Sequence, residues 1–157
     1  MAPRIGQKAP DFSLPDSENR VRTLSELASD GPVVVAFFAF SFSGVCDREM
    51  CAFRDDLPSF GGAKVVGVSV DSAFALKAFA QTYNLPFPLL SDFNRKAAKL
   101  YGVLEEEWAA LGYRGVARRS VFIVDGKGVL RYRWAADLPT DEPPYAEVAR
   151  VAQKLAR

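Results

Sequence analysis

The stretch that most constrains this chain is the unbroken apolar run of residues 33–40, Val-Val-Val-Ala-Phe-Phe-Ala-Phe, which passes directly into Ser41-Phe42-Ser43-Gly44-Val45-Cys46. A β-branched and aromatic run without polar alternation marks a strand buried on both faces, so helices must cover the sheet on each side. The polar Ser-Gly corner ends the strand. A helix is expected from Ser43 to about Leu57, before Pro58 and Gly61-Gly62.

The remaining pattern repeats this alternation. Residues 6–14 read as a lead-in with a short strand, and residues 15–19 as a turn. Thr23-Leu24-Ser25-Glu26 has the capping-box spacing that opens a short helix, which Asp30-Gly31-Pro32 ends. Residues 64–70 form a second buried strand. Residues 72–83 have helical periodicity through Phe74, Leu76, Phe79 and Tyr83. Residues 85–90 lead through a constrained loop into a short strand, and residues 94–101 make a helix ending at Gly102. Residues 120–124 and 129–134 are strands joined by the turn Asp125-Gly126-Lys127-Gly128, with Asp125 as turn chemistry. Pro143 or Pro144 opens a last helix through Ala156. Alternating units give parallel neighbours and the hairpin adds antiparallel strands. The expected fold is α/β: a thioredoxin-like mixed sheet flanked by helices, with an N-terminal extension, as a single domain over residues 1–157.

Bulk properties narrow the function classes. At 157 residues and 49% hydrophobic, the chain can bury a core without staples. A net charge of +1 with interspersed signs argues against a nucleic-acid groove. The longest apolar run is far shorter than the roughly 20 residues of a membrane helix. Residues 1–6 lack the apolar core of a signal peptide, so a cytoplasmic protein without membrane contact is expected.

The chain has two cysteines, Cys46 and Cys51, and no histidine. In a reducing compartment such a pair is catalytic or metal-binding more often than structural. Lack of histidine disfavours His-assisted nucleophiles and most zinc sites. With Ser43 as N-cap, Cys46 lies in the first helical turn. Unpaired amides and the helix dipole there favour a thiolate, and the Ser43 hydroxyl could bond it or its substrate. Glu49 follows one turn later. A carboxylate beside a thiolate needs a bridging cation, for which Arg48, Arg118 and Arg119 are candidates. Arg119 stands just before a strand and could enter from its end. Trp108, Tyr113 and Trp134 read as packing residues. Five residues along a helix separate Cα atoms by about 9 Å, whereas a disulfide spans roughly 4.4–6.8 Å. Cys46 and Cys51 can therefore bond only if the first turns unwind.

These residues give the chain a resemblance to the peroxiredoxins, cysteine-dependent peroxidases, from Gly6-Gln7-Lys8-Ala9-Pro10-Asp11-Phe12 to about Ala146. Ser43 and Cys46 match the last two positions of the family motif Pro-x3-Thr/Ser-x2-Cys, and Glu49 matches the acid that follows. Arg119-Ser120-Val121-Phe122-Ile123-Val124-Asp125 looks like the active-site arginine strand. Phe87-Pro88-Leu89-Leu90-Ser91-Asp92 and Tyr101-Gly102-Val103 are also typical. The Phe-Ser-Gly-Val-Cys core is similar to the alkyl hydroperoxide reductase E type, often a one-cysteine enzyme. The Cys-x4-Cys spacing is similar to the Q type, or bacterioferritin comigratory protein, whose second cysteine resolves the first. Ala39 replaces the family's proline, which implies a less shielded sulfur and easier overoxidation.

The resemblance implies a thiol peroxidase for hydrogen peroxide and organic hydroperoxides that needs no metal, haem or flavin cofactor. Cys46 would become a sulfenic acid. Ser43 and Arg119 would hold the peroxide, and Glu49 would orient Arg119. Cys51 would close a disulfide, and a thioredoxin-like or low-molecular-weight thiol would reduce it. A homodimer through the face near the reactive corner is also implied. Three rivals remain at this point. One is a one-cysteine peroxidase served by an external thiol. Another is a thiol–disulfide oxidoreductase, which would normally carry Cys-x2-Cys. The third is a redox-regulated binding module or metal carrier.

Overall fold

The architecture follows from the buried strand and the helices that must cover it. The computed structural model describes residues 2–156. A lead-in segment is followed by β1 (Ser13–Pro15), β2 (Val21–Thr23) and the short α1 (Leu24–Leu27). Then come β3 (Val33–Phe37), α2 (Val45–Asp56), β4 (Lys64–Ser69), α3 (Ala73–Tyr83), β5 (Leu89–Ser91) and α4 (Lys96–Leu100). Two short strands, β6 (Leu104–Glu105) and β7 (Val116–Ala117), precede the hairpin β8 (Ser120–Val124) and β9 (Leu130–Ala135). The last helix is α5 (Tyr145–Leu155).

The main sheet has the order β5-β4-β3-β8-β9. β3 pairs in parallel with β4 and antiparallel with β8, so β3 is interior, as its composition requires. All five of its residues are fully buried. Side chains alternate across a strand. Val33, Val35 and Phe37 pack with Leu24, Ala97, Ala98 and Tyr101 on the α1/α4 face. Val34, Ala36 and Phe38 pack with Cys46, Met50, Phe53, Leu76 and Val148 on the α2/α3/α5 face. The mixed, two-faced sheet agrees with the sequence expectation. The extension lies along the start of β9, where Gly6 N donates to the Leu130 carbonyl at 2.8 Å and Leu130 N to that of Gln7 at 2.9 Å.

Three local expectations need correction. The Thr23 hydroxyl does not cap α1. It shares a hydrogen bond with Ser13 across β1 and β2, and Asp11 Oδ1 instead accepts from Ser25 N at 2.9 Å. The cross-strand partner satisfies that hydroxyl. α2 begins at Val45, with Gly44 rather than Ser43 as N-cap. Phe74, counted in the apolar stripe of α3, is 75% exposed, while Leu76 and Phe79 carry the burial. It occupies the first turn, off the stripe that meets the sheet. β6 and β7 are two-residue strands, too short to leave a periodicity in the sequence. Ser72, by contrast, caps α3 through Ala75 N at 3.2 Å.

Candidate active site

Residues 38–44 carry the chain from β3 to α2, and polar contacts fix their path. Asp71 Oδ2, beyond β4, accepts from both Ser41 N and Ser41 Oγ at 2.8 Å, and from Ser69 Oγ at 2.7 Å. Phe42 then adopts φ 63°, and Gly44 adopts φ 82°, ψ −78°. Val45 N donates to the Ser43 carbonyl at 3.1 Å, closing a γ-turn over Gly44. That backbone conformation is strained for any residue with a Cβ, which is why glycine stands there. The turn places Cys46 at the second helical position. The amides of Cys46 and Asp47 find no acceptor among the described residues, so both N–H groups remain available beside the sulfur.

Cys46 has no accessible surface. Glu49 lies three residues on, on the same buried face of α2, and is likewise fully buried. Arg119, 3% exposed, reaches them from the start of β8. Its Nη1 donates to Cys46 Sγ at 3.1 Å and to Glu49 Oε1 at 2.8 Å, and its Nη2 donates to the Pro139 carbonyl at 3.1 Å. Strand alternation selects this arginine. Arg119 shares its face with Val121 and Ile123, which pack with Cys46, whereas Arg118 falls on the other face. The Arg119 carbonyl accepts from Ala136 N at 2.8 Å, which extends the ladder and fixes the direction.

The charges are strongly coupled. Burial pushes the Glu49 carboxyl up to about 7 against the pull of Arg119, and the carboxylate of Glu142 adds to the rise. Burial disfavours the Arg119 cation, but Glu49 and Cys46 outweigh it and hold the guanidinium above its ordinary value. The bridging cation is thus Arg119. Arg118 pairs with Glu105, and Arg48 lies 3.8 Å from Glu142.

Ser43 departs from expectation. It is exposed, and its hydroxyl donates to the Phe40 carbonyl at 2.6 Å, so it neither caps α2 nor bonds Cys46. A backbone acceptor three residues back satisfies it locally. Ala39 does not leave the sulfur open either, since Ala39 and Cys46 are both fully buried. Phe40 packs edge-on against Trp108 and Tyr113, at centroid distances of 5.6 and 5.1 Å, above that corner. Cys51 is a free, partly buried thiol on the same unbroken helix, and burial pushes its pKa up.

Other participants gave no local signal. A cleft of about 350 Å³ opens on Arg119, between Trp108, Ala109 and Ala110 on one side and Leu138 and Pro139 on the other. Pro139 matters through its carbonyl, which residue type does not reveal. Asp71 could have been flagged as a polar residue just after a buried strand. No cluster of three or more His, Cys, Asp or Glu that could hold a metal stands together among the described residues, and no described helix is long and apolar enough to cross a membrane.

The chain is similar to known proteins in both sequence and fold. The AhpC/TSA family model matches residues 5–133. A Coxiella burnetii protein named as a peroxiredoxin of the bcp kind is 36% identical over 137 residues, covering 85% of this chain and 89% of that protein. The chloroplastic peroxiredoxin Q of Triticum aestivum is 36% identical over 129 residues, 81% of this chain, which spans only 57% of the wheat protein's length. The crystal structure of peroxidoxin BcpB from Mycobacterium tuberculosis superposes with a TM-score of 0.85 at 31% identity, covering 98% of each chain. A thiol buried at a strand-to-helix corner under a strand-borne arginine agrees with these likenesses, and the chain belongs to the AhpC/TSA family, among the peroxiredoxins of the bcp and Q type.

Proposed function

We propose that this chain is a thiol peroxidase whose reactive group is Cys46. The observation that carries the reading is the single Arg119 nitrogen that touches both Cys46 Sγ at 3.1 Å and Glu49 Oε1 at 2.8 Å among buried side chains at the floor of the cleft. A cation in low dielectric stabilises a thiolate. It is also a preorganised donor for charge that develops on a leaving oxygen. The Cys46 thiolate attacks the terminal oxygen of a hydroperoxide. The O–O bond breaks, Cys46 becomes a sulfenic acid, and the leaving alkoxide or hydroxide takes a proton to give alcohol or water. Glu49 acts through Arg119 as a positioning residue. In the dithiol state the Ser43 hydroxyl serves the Phe40 carbonyl, so a part for Ser43 in peroxide binding requires it to rotate.

Cys51 resolves the sulfenic acid. Its thiol condenses with Cys46 to give a disulfide and one water, after α2 opens between them. A dithiol of the thioredoxin kind, or a small thiol, then restores both by exchange. The unbroken helix between the cysteines also supports the one-cysteine reading, in which an outside thiol reduces Cys46 directly. A homodimer and a cytoplasmic setting belong to the same proposal.

Intact mass and thiol count after one equivalent of hydrogen peroxide separate these mechanisms, with Cys46→Ser and Cys51→Ser alongside. The two-cysteine reading expects loss of two hydrogens and both thiols, abolished by either substitution. Gain of one oxygen with Cys51 still free would establish the one-cysteine route. No oxidation of Cys46 would overturn the peroxidase reading.

A further inference from the structure

A Cys46–Cys51 bond requires the helix between them to open, so whatever holds that stretch closed governs resolution. Besides Arg119, which holds Cys46 and Glu49 on the buried face, the polar contacts that hold this stretch converge on one residue of α3. Tyr83, the last residue of α3, donates its hydroxyl to Asp47 Oδ2 at 2.6 Å, and its carbonyl accepts from Arg54 Nη1 at 2.6 Å. Positions 47 and 54 lie on either side of Cys51. The other oxygen of Asp47 accepts from Ser43 N at 3.0 Å, tying the corner to the first turn. The Tyr83 ring also faces Phe42, the residue held at φ 63°, with centroids 6.4 Å apart. A strained corner persists only where its surroundings hold it, and here the end of α3 supplies part of that hold. These contacts are only partly buried, so water can replace them when the helix opens.

We propose that Tyr83 is a positioning residue for the resolving step, a latch that keeps the Cys46–Cys51 segment helical until it is released. The proposal rests on Cys51 being the resolving cysteine. While the latch is closed, Cys46 keeps its place under Arg119 and can meet peroxide. Once it opens, Cys51 can reach the sulfenic acid and condense with it, releasing one water. The latch thereby sets how long the sulfenic acid waits, and so how often a second peroxide overoxidises it. The raised pKa of Cys51, from burial first, agrees with a thiol held in reserve while the helix is closed.

The test is a single turnover with one equivalent of hydrogen peroxide, quenched by thiol alkylation and read by intact mass, on the full chain and on Tyr83→Phe. Phenylalanine keeps the ring against Phe42 and removes only the hydroxyl. Sulfenic acid should form at the parent rate. The disulfide should form about fivefold faster, which corresponds to ~1 kcal/mol of released restraint. Amide exchange over residues 47–51 should rise by a similar factor, and sulfinate in excess peroxide should fall. Arg54→Met, which removes the tie to the Tyr83 carbonyl, should shift both rates the same way and serves if Tyr83→Phe does not fold. A parent-like or slower disulfide step in the variants would overturn the latch while leaving Cys51 as resolver. A parent protein that stops at sulfenic acid would overturn the resolving role and the latch together.

Discussion

Cys46 and Cys51 ride the same helix, yet different physics holds the two faces of that interval. Around Cys46 every partner is buried, and one guanidinium ties α2 to the start of β8. On the face turned to α3, at Asp47 and Arg54, the restraints are hydrogen bonds with Tyr83, partly open to water. Buried charge contacts are costly to break because the remaining partner stays uncompensated. Partly exposed hydrogen bonds exchange for water at little net cost. The helix thus has one face built to hold a geometry and another built to let go. A cysteine that must meet peroxide in a fixed pose and a cysteine that must travel to it have opposite requirements.

The comparison breaks most severely at Arg119. Arg119→Met should lower the rate of Cys46 with peroxide by about 10²–10³, the size of losing one preorganised donor, measured by stopped flow. It should also cost roughly 3–5 kcal/mol of stability, since it strands a buried carboxyl, read by urea unfolding. The Tyr83 variant stands next, because it should loosen the face of α2 turned to α3 without slowing the reaction of Cys46 with peroxide.

Glu49 sharpens the contrast through pH. Its folded pKa of about 7 lies above the unfolded value near 4.5. The native state therefore keeps its proton longer than the unfolded chain does. The stabilisation this gives is complete below about 4.5 and disappears as pH rises through about 7. The urea midpoint of the parent should fall between pH 5 and 8 more than that of Glu49→Gln; equal falls in the two proteins would contradict the assignment. The smallest effect is expected at Arg118. Its pair with Glu105 is half exposed, so Arg118→Ala should change stability by about 0–1 kcal/mol and leave the Cys46 rate at the parent value. The two adjacent arginines would then differ by orders of magnitude in effect.

Much of this was legible in the residues. The run at 33–40 required a doubly covered strand, and the Ser-Gly corner after it required a tight turn into a helix, because few other sequences bury that much or bend that sharply. Cys46 and Glu49 fall on one face of α2 through helical spacing. The choice of Arg119 over Arg118 was available from the two-residue period of β8, since Val121 and Ile123 face α2. Ser43 misled, because its spacing fits an N-cap while its hydroxyl has a nearer backbone acceptor. Phe74 misled because one apolar residue off the stripe does not disturb a helical pattern.

The sequence by itself determined the layered α/β class, the strand-to-helix corner and a cysteine pair too far apart to bond on an intact helix, because periodicity and helix geometry are local and read directly. Only the tertiary structure decided that one arginine nitrogen serves both Cys46 and Glu49, that Pro139 and Asp71 fix the site, and that Tyr83 clasps both sides of Cys51. Each of these joins residues about 30 or 70 positions apart, or depends on a backbone carbonyl that every residue carries. Their meeting is set by how β3, β4 and β8 stack in one sheet and how α2 and α3 pack on its face.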